Sequence, residues 1–338
     1  MIDHKTAKIS IIIPTIGDRQ KLLQRAIISA FIEDGSFFSE IIVVINGSKA
    51  NYFSLPCNTE PPPNAMIRVV RTEKADANHA RNLGIKHATG ELVRFLDDDD
   101  YLIQDASRDQ YHLMLRTDLD FCSGNAEVRD SDNSLISSFS QPDEATACAT
   151  VLSRKRLQLT FTHVYRRSSL KEMEWPVGLR QSEDIVWLIR YVTAAPRRWQ
   201  RFDQAVGVWY QHAAVRQSLD RPSGFVHEAT AQALLEARAT LAQQGRWNDH
   251  LAHITAEALW DLVHKAFPFR PRYWSSIGAQ ARLMDHTARP AQPVYGYPGL
   301  RHIDPRLMLW LLLPKRWATL GWTSAKGLLK GHDYRRTL

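Results

Sequence analysis

Cysteine is scarce in this 338-residue chain: Cys57, Cys122 and Cys148 are the only three, with no CxxC pair and no Cys/His spacing of the zinc-binding kind. That excludes a disulfide framework, and an odd, scattered set suits a reducing compartment. Long apolar runs are missing too. The longest, 307–313, has seven residues, whereas a spanning helix needs about 20. The first residues, MIDHKTAKISIIIPT, lack the small-residue cleavage site of a secretory signal. A chain of this kind is expected to cross no membrane. Repeats and low-complexity tracts are absent, and 44% hydrophobic with 23% charged residues is the composition of a globular protein with a buried core. The length fits about two domains.

Acidic residues are rare in the last quarter. Residues 265–338 hold 13 basic and 3 acidic side chains, a net of +10, while residues 1–264 hold 30 and 33, a net of −3. The C-terminal segment, and not the body, is therefore the candidate for an anionic surface.

Over the first hundred residues β-rich runs alternate with helical stretches, the pattern of βαβ units and a parallel sheet. An Ile-rich run at 9–13 meets Pro14, which a central strand does not accommodate, so the first strand is expected to end there. Asp18 is placed to cap a helix in which Leu22, Leu23, Ala26, Ile27, Ala30 and Phe31 recur at helical spacing. Strands are expected at 41–45, 67–70 and 92–96, and a helix at 76–88 that Gly90 stops. In that helix Ala77, Ala80, Gly84 and Ala88 form a small-residue stripe suited to close packing on a sheet. Beyond it come a helix at 103–115, a strand at 119–123 and a less regular polar stretch to about 146. Strands at 160–166 and 206–212 follow, with a helix at 183–192 between them, then helices at 225–243 and 248–265. The expected class is α/β, with a mostly parallel, Rossmann-like central sheet flanked by helices and a helical C-terminal extension. The expected division is 1–222 and 223–338.

Asp97 to Asp100 directly follow the fourth strand, and ligands of open α/β sheets bind outside the carboxyl ends of the strands. Adjacent carboxylates raise one another's pKa unless a cation is present. An oxygen-preferring divalent ion, held by one or two carboxylates and substrate phosphates, resolves that repulsion. Taken alone, the run reads equally well as a solvated turn capping the next helix. Glu183 and Asp184 precede Ile185, Val186, Leu188 and Ile189, so they occupy a first helical turn. There they either satisfy the helix dipole or supply a general base. His212 and Arg216 suit a metal ligand and a phosphate fork.

Taken in order, SIIIPTIGDR, IIVVINGS, ARNLGIKHATGE, VRFLDDDDY and SEDIVW resemble the family 2 inverting glycosyltransferases of the glycosyltransferase-A fold, over roughly residues 8–218. The resemblance implies that 1–222 is a catalytic nucleotide-sugar-binding domain. It implies that Pro14 and Thr15 line the nucleotide pocket, that Asp97 meets the ribose within the Asp97-Asp98-Asp99 motif, and that Asp99 meets Mn²⁺ or Mg²⁺. It makes Asp184 the base, sets His212 and Arg216 on metal or diphosphate, and turns Arg81 to the base or phosphates. Where the family carries an acid after the second strand, this chain has Ile45 and Asn46, and Asn46 keeps hydrogen-bonding capacity without charge. The implied reaction is a metal-dependent, inverting hexosyl transfer from a nucleoside-diphosphate sugar, UDP favoured, to a hydroxyl of a glycan acceptor. Lipid-linked and cell-surface polysaccharide precursors are among the acceptors implied.

An aspartate-nucleophile phosphatase would carry Thr or Val where Tyr101 stands and would have its motif on the first strand. A non-enzymatic alternative makes the +10 segment a nucleic-acid-binding module. Its basic residues are interleaved with Trp274, Trp310, Trp317, Trp322 and the Leu-rich run, and no helix-turn-helix or zinc spacing appears, so an anionic membrane surface is the expected partner and nucleic acid is not. Asp304-Pro305 reads as a helix start; Pro314 ends the apolar run, and Lys315 and Arg316 follow. The expected placement is cytoplasmic and peripheral on the inner face of the cell membrane, with burial of 307–313 in a core as the alternative.

Overall fold

Isoleucines 9, 11, 12 and 13, all fully buried, build the centre of a mixed sheet. The computed structural model describes residues 7–32, 35, 37–48, 50, 54–56, 59–153, 159–212 and 226–330. Cys57, Arg216 and the boundary expected at 222/223 lie outside the described residues. These residues fall into two compact units, one within Met1–Val151 and Lys155–Ala214, the other within Leu152–Arg154 and Val215–Leu338.

In the first unit β1 (Ala7–Thr15), β2 (Phe37–Asn46), β3 (Ala65–Thr72) and β4 (Leu92–Phe95) pair in parallel in the order β3-β2-β1-β4. β2 is buried along nearly its whole length, which is why it reads as a continuous apolar run and not as an alternation. Beyond β4 the sheet turns mixed. β8 (His163–Arg166) is antiparallel to β4, and then come β6 (Phe121–Arg129), β9 (Trp199–Tyr210) and β5 (Tyr101–Leu102). β7 (Leu135–Phe139) pairs with β6. The helices of this unit are α1 (Gln20–Ser29), α2 (Ala77–His87), α3 (Gln104–Arg116), α4 (Ala147–Leu152) and α5 (Glu183–Ala194). This is the expected α/β class with flanking helices.

Pro14 does not end the first strand. β1 runs through it, with Pro14 opposite Val44. The reason lies on the other side of β1, where pairing with β4 covers only residues 9–12 and the Ile12 carbonyl takes a final bond from the Leu96 N–H at 3.0 Å. Backbone groups two residues apart face the same neighbour, so Pro14 turns its nitrogen to a side where the ladder has ended and no bond is lost. Asp18 likewise does not cap α1. Gly17 takes a left-handed conformation (φ 81°), the chain turns one residue further, and Arg19 stands at the N-cap without a side-chain cap bond.

Asp76 does cap α2, accepting from the His79 N–H at 2.9 Å. The small-residue stripe has the expected use: a Cβ on Gly84 would lie 2.3 Å from Ile12 Cγ2, so the helix meets the sheet where only hydrogen fits. Gly90 is not the stop. α2 ends before it, at the extended residue Ala88, and Gly90 instead lets the chain pass Ser10, whose backbone N would be 2.6 Å from an added Cβ. The stretch expected to be irregular up to 146 contains the second half of β6 and all of β7; β7 is largely exposed and so carries no apolar period. A 3-10 turn, Thr160–Thr162, occupies the start of the strand expected at 160–166.

The second unit contains α6 (Val226–Gln243), α7 (Asp249–Ala266), α8 (Pro271–Met284) and α9 (Pro305–Lys330). Asn248 caps α7 by accepting from the Leu251 N–H (3.0 Å), and Trp260, Trp274 and Leu259 are fully buried. Asp304 opens α9, accepting from the Arg306 N–H at 2.9 Å. Pro314 lies inside that helix and does not end it. Met308, Leu309 and Leu313 are buried, whereas Leu307, Trp310, Leu311, Trp317 and Leu320 are exposed, Leu311 by 78%. The run 307–313 is thus divided between a core face and an outer face. Among the described residues no helix is long and apolar enough to cross a membrane.

Candidate active site

After β1 the chain moves outward to β2 and β3, then returns to the other side of β1 as β4. The carboxyl ends of β1 and β4 therefore flank a topological switch point, where open α/β sheets leave a crevice for ligands. Thr15 closes β1 and Asp97–Asp100 follow β4, so the fold brings these two sequence-distant segments together. The Thr15 hydroxyl donates to Asp98 Oδ2 at 2.5 Å and accepts from the Gly17 N–H at 3.0 Å. Pro14 is buried just before it and fixes the backbone that presents this hydroxyl.

Every carboxylate of the cluster is partnered, and Asp98 and Asp99 share one guanidinium. Asp97 Oδ1 is 2.6 Å from Arg81 Nη2. Asp98 Oδ1 is 2.5 Å from Arg19 Nη2, and Asp99 Oδ2 is 2.6 Å from Arg19 Nη1. His212, just past the end of β9, approaches the same Asp99 oxygen with Nε2 at 3.0 Å. Asp100 accepts from the Tyr210 N–H at 3.0 Å, which ties the acidic loop to the strand that carries His212. Arg25 reinforces this tie. It donates to the Asp99 carbonyl (3.1 Å) and lies over the rings of Tyr101 and Tyr210, 4.5 and 3.7 Å from their centroids.

Burial of Asp98 pushes its carboxyl up to about 7, against the pull of Arg19 and with Asp99 adding to the rise. Burial of Arg19 works to lower its pKa, but Asp98, Asp99 and Asp18 outweigh it and hold the guanidinium above its ordinary value.

Arg81 links the acidic loop to the second carboxylate pair. It is almost fully buried, with Nη1 2.9 Å from Asn78 Oδ1 and 3.8 Å from Glu183 Oε1, and its guanidinium lies 4.5 Å from the Trp175 ring centroid. Trp175 in turn stacks on Trp187 of α5, with centroids 4.6 Å apart and planes at 2°. The flanking asparagines hold the loop ahead of α5. Asn78 donates to the carbonyls of Pro176 (3.0 Å) and Leu179 (2.7 Å), and Asn82 exchanges bonds with the Trp175 backbone. Glu183 and Asp184 open α5, where the Ile185 N–H donates to Asp184 Oδ1 at 2.7 Å. Burial pushes Glu183 up to about 7; Arg81 opposes this and Asp184 adds to it.

Asn46, with its amide oriented to satisfy both neighbours, donates to the Thr15 carbonyl (2.8 Å) and accepts from the Asp76 N–H (3.2 Å). These two bonds join the ends of β1 and β2 to the entry of α2. Arg216 lies outside the described residues. The sequence assigns no individual role to Arg19, Arg25, Asn78 or Asn82; Arg19 and Asn82 sit inside the motifs SIIIPTIGDR and ARNLGIKHATGE, and Asn78 lies two residues ahead of the second.

Among the described residues no three His, Cys, Asp or Glu side chains converge to enclose a metal ion. A divalent ion fits the pair Asp99 and His212, a carboxylate and an imidazole side by side at the strand ends. Two protein donors with diphosphate oxygens and water making up the rest is an ordinary set for Mg²⁺ or Mn²⁺.

The family model described as Glycosyl transferase family 2 matches residues 10–173. Among curated proteins, UDP-Glc:alpha-D-GlcNAc-diphosphoundecaprenol beta-1,3-glucosyltransferase WfgD of Escherichia coli is 26% identical over 131 residues, 36% of this chain and 51% of that protein. Uncharacterized glycosyltransferase YibD of Escherichia coli (strain K12) is 27% identical over 222 residues, 62% of this chain and 63% of that protein. The chain thus spans between half and two thirds of these relatives. Among solved structures, S. aureus TarS 1-349 superposes with a TM-score of 0.58 at 17% identity, over 97% of this chain and 93% of that one. The same protein in complex with UDP-GlcNAc gives 0.55 at 17% identity, over 82% and 88%. At that identity the likeness shows the fold.

Proposed function

Residues 10–173 form a family 2 glycosyltransferase domain, and from that premise we propose that this chain moves a hexosyl group from a nucleoside-diphosphate sugar to a hydroxyl of a glycan acceptor, with inversion. The observation that carries the reading is Arg81, whose single guanidinium spans from Asp97 to Glu183. It sets the donor loop and the base pair of α5 a side chain's width apart, so an anomeric carbon and an acceptor hydroxyl can meet between them.

In this mechanism Asp184 takes the acceptor proton as the oxygen attacks the anomeric carbon, the bond from that carbon to the diphosphate oxygen breaks, and the nucleoside diphosphate leaves. Asp99 and His212 would hold Mn²⁺ or Mg²⁺, which when bound neutralises charge on the leaving diphosphate. Thr15, Asp97 and Asp98 shape the nucleotide side, and Arg81 keeps Asp97 and the α5 carboxylates in register. The UDP-Glc in the name of WfgD supports a UDP-linked donor, and its diphosphoundecaprenol acceptor supports a lipid-linked one. The test is a melting-temperature screen of UDP, GDP, ADP and CDP with and without Mn²⁺, because a ligand of the folded state alone raises that temperature. UDP should give the largest rise, and only with metal. Failure of every nucleoside diphosphate to shift the melt would remove the reading.

The outer face of α9 favours peripheral attachment to an anionic membrane. Leu307, Trp310, Leu311, Trp317 and Leu320 recur at helical spacing on that face, next to Lys315 and within the segment of net +10. Apolar insertion and Lys/Arg attraction to anionic headgroups act together on such a helix. The full chain should sediment with anionic vesicles at low salt and release at high salt. Leu307→Glu with Leu311→Glu should abolish sedimentation. Sedimentation that disappears after nuclease treatment would point to nucleic acid instead.

A further inference from the structure

Among the described residues, Arg19 stands on the Asp99 oxygen that a metal ion shared with His212 would use. Its Nη1 is 2.6 Å from Asp99 Oδ2, the oxygen that His212 Nε2 also approaches at 3.0 Å. Two positive centres on one carboxylate oxygen repel in a partly buried site, so the guanidinium competes there with a divalent ion shared by Asp99 and His212. The two carboxylates that Arg19 bridges are also unequal. Asp98 is 2% exposed and fixed by the Thr15 hydroxyl as well as by Arg19. The Asp99 side chain is 19% exposed and faces His212.

The backbone leaves Arg19 room to move. It is the N-cap of α1 (φ −117°, ψ 61°), where its carbonyl accepts the first helical bond from the Leu23 N–H at 3.0 Å while its side chain makes no cap bond. A change of its side-chain conformation breaks no helical hydrogen bond.

We propose that Arg19 is an exchangeable counter-cation. It holds Asp98 and Asp99 in place while no metal–diphosphate is bound, gives up Asp99 when the ion is taken, and keeps Asp98. From there its released Nη1 faces the diphosphate. The exchange rests on the nucleotide-sugar reading of this site, and it makes Arg19 a positioning residue whose pairing differs between the free and the loaded protein.

The experiment is a Mn²⁺ titration of the full chain without nucleotide, read by electron paramagnetic resonance of the free ion. Arg19→Gln removes the competitor, so it should bind Mn²⁺ about fivefold or more tightly than wild type, the effect of deleting one ion pair of ordinary strength. The metal-free melting temperature of this variant should fall, because Asp98 and Asp99 lose the cation they share. A merely structural Arg19 gives the opposite result, since a loosened site binds metal more weakly. Equal or weaker Mn²⁺ binding by folded Arg19→Gln overturns the proposal. Should that variant not fold, Arg19→Met removes the charge while keeping an unbranched stem of similar reach; tighter Mn²⁺ binding than wild type upholds the exchange, and unchanged or weaker binding overturns it. Asp99→Ala should abolish binding in either background. The UDP melting shift of wild type separates the two failures: if it persists while Arg19→Gln shows no gain, the exchange fails and the glycosyltransferase reading stands.

Discussion

Glu183 and Asp184 are neighbours with different burdens. Glu183 is turned to Arg81 and raised to about 7 by burial, whereas Asp184 is assigned the acceptor proton. Asp184→Asn should therefore lower turnover by about 10²-fold or more, the usual size of a general-base contribution, with donor affinity nearly unchanged. Glu183→Gln should cost less, and the reverse order in steady-state kinetics would move the base by one residue. At this scale the acids and His212 were legible, because carboxylates after an apolar strand are conspicuous in any sequence. Arg19 was not. An arginine at a helix start looks like a solvated surface residue until the fold sets it 2.5 Å from an aspartate 79 positions away. Asn46 also joins the ends of two strands to the entry of α2, a structural tie that its residue type alone does not reveal.

The packing of α2 on β1 depends on Gly84. A methyl group there meets Ile12, a β-branched residue locked in the sheet, so Gly84→Ala should destabilise the protein by about 1–3 kcal/mol. In an Ile12→Ala background the same change should cost markedly less, which a double-mutant cycle from urea unfolding measures. The stripe that foretold this contact is helical in period and local in sequence, and so it could be read. Pro14 inside β1 could not, because its tolerance depends on where a strand 80 residues later stops pairing. β5 and β7 escaped for a related reason: one is two residues long and the other has no buried face, so neither leaves a period to detect. α8 buries Trp274, Ile277 and Ala281 on a stripe of helical period, so its contact too is local in sequence.

Over the whole molecule, acid sensitivity follows from histidines buried in the neutral form. Burial, helped by Arg94, lowers His163 to about 3 in the first unit. In the second, burial with Arg316 and Lys265 lowers His264 to about 4. Between 6.5 and these values the unfolded chain binds the proton and the folded chain does not, so unfolding is favoured as pH falls through that window. His264→Gln should remove its share. The urea midpoint of wild type should drop more than that of the variant between pH 7 and pH 4.5, and parallel curves would show that His264 titrates normally. Asp285, lowered to about 2 chiefly by its bonds to Thr287 and His253 against a burial effect of opposite sign, acts in the same direction but only between 3.8 and 2. The two effects are therefore separable.

The stacked indoles beneath the donor loop have an optical consequence. Two rings 4.6 Å apart and nearly parallel share their electronic transitions, and the guanidinium over one of them is the same group that binds Asp97. Charge arriving at or leaving the loop alters the electrostatic field on a coupled chromophore. Trp175 and Trp187 thus form an internal dye, and the near-ultraviolet dichroism of the unlabelled protein should change as the donor loop fills.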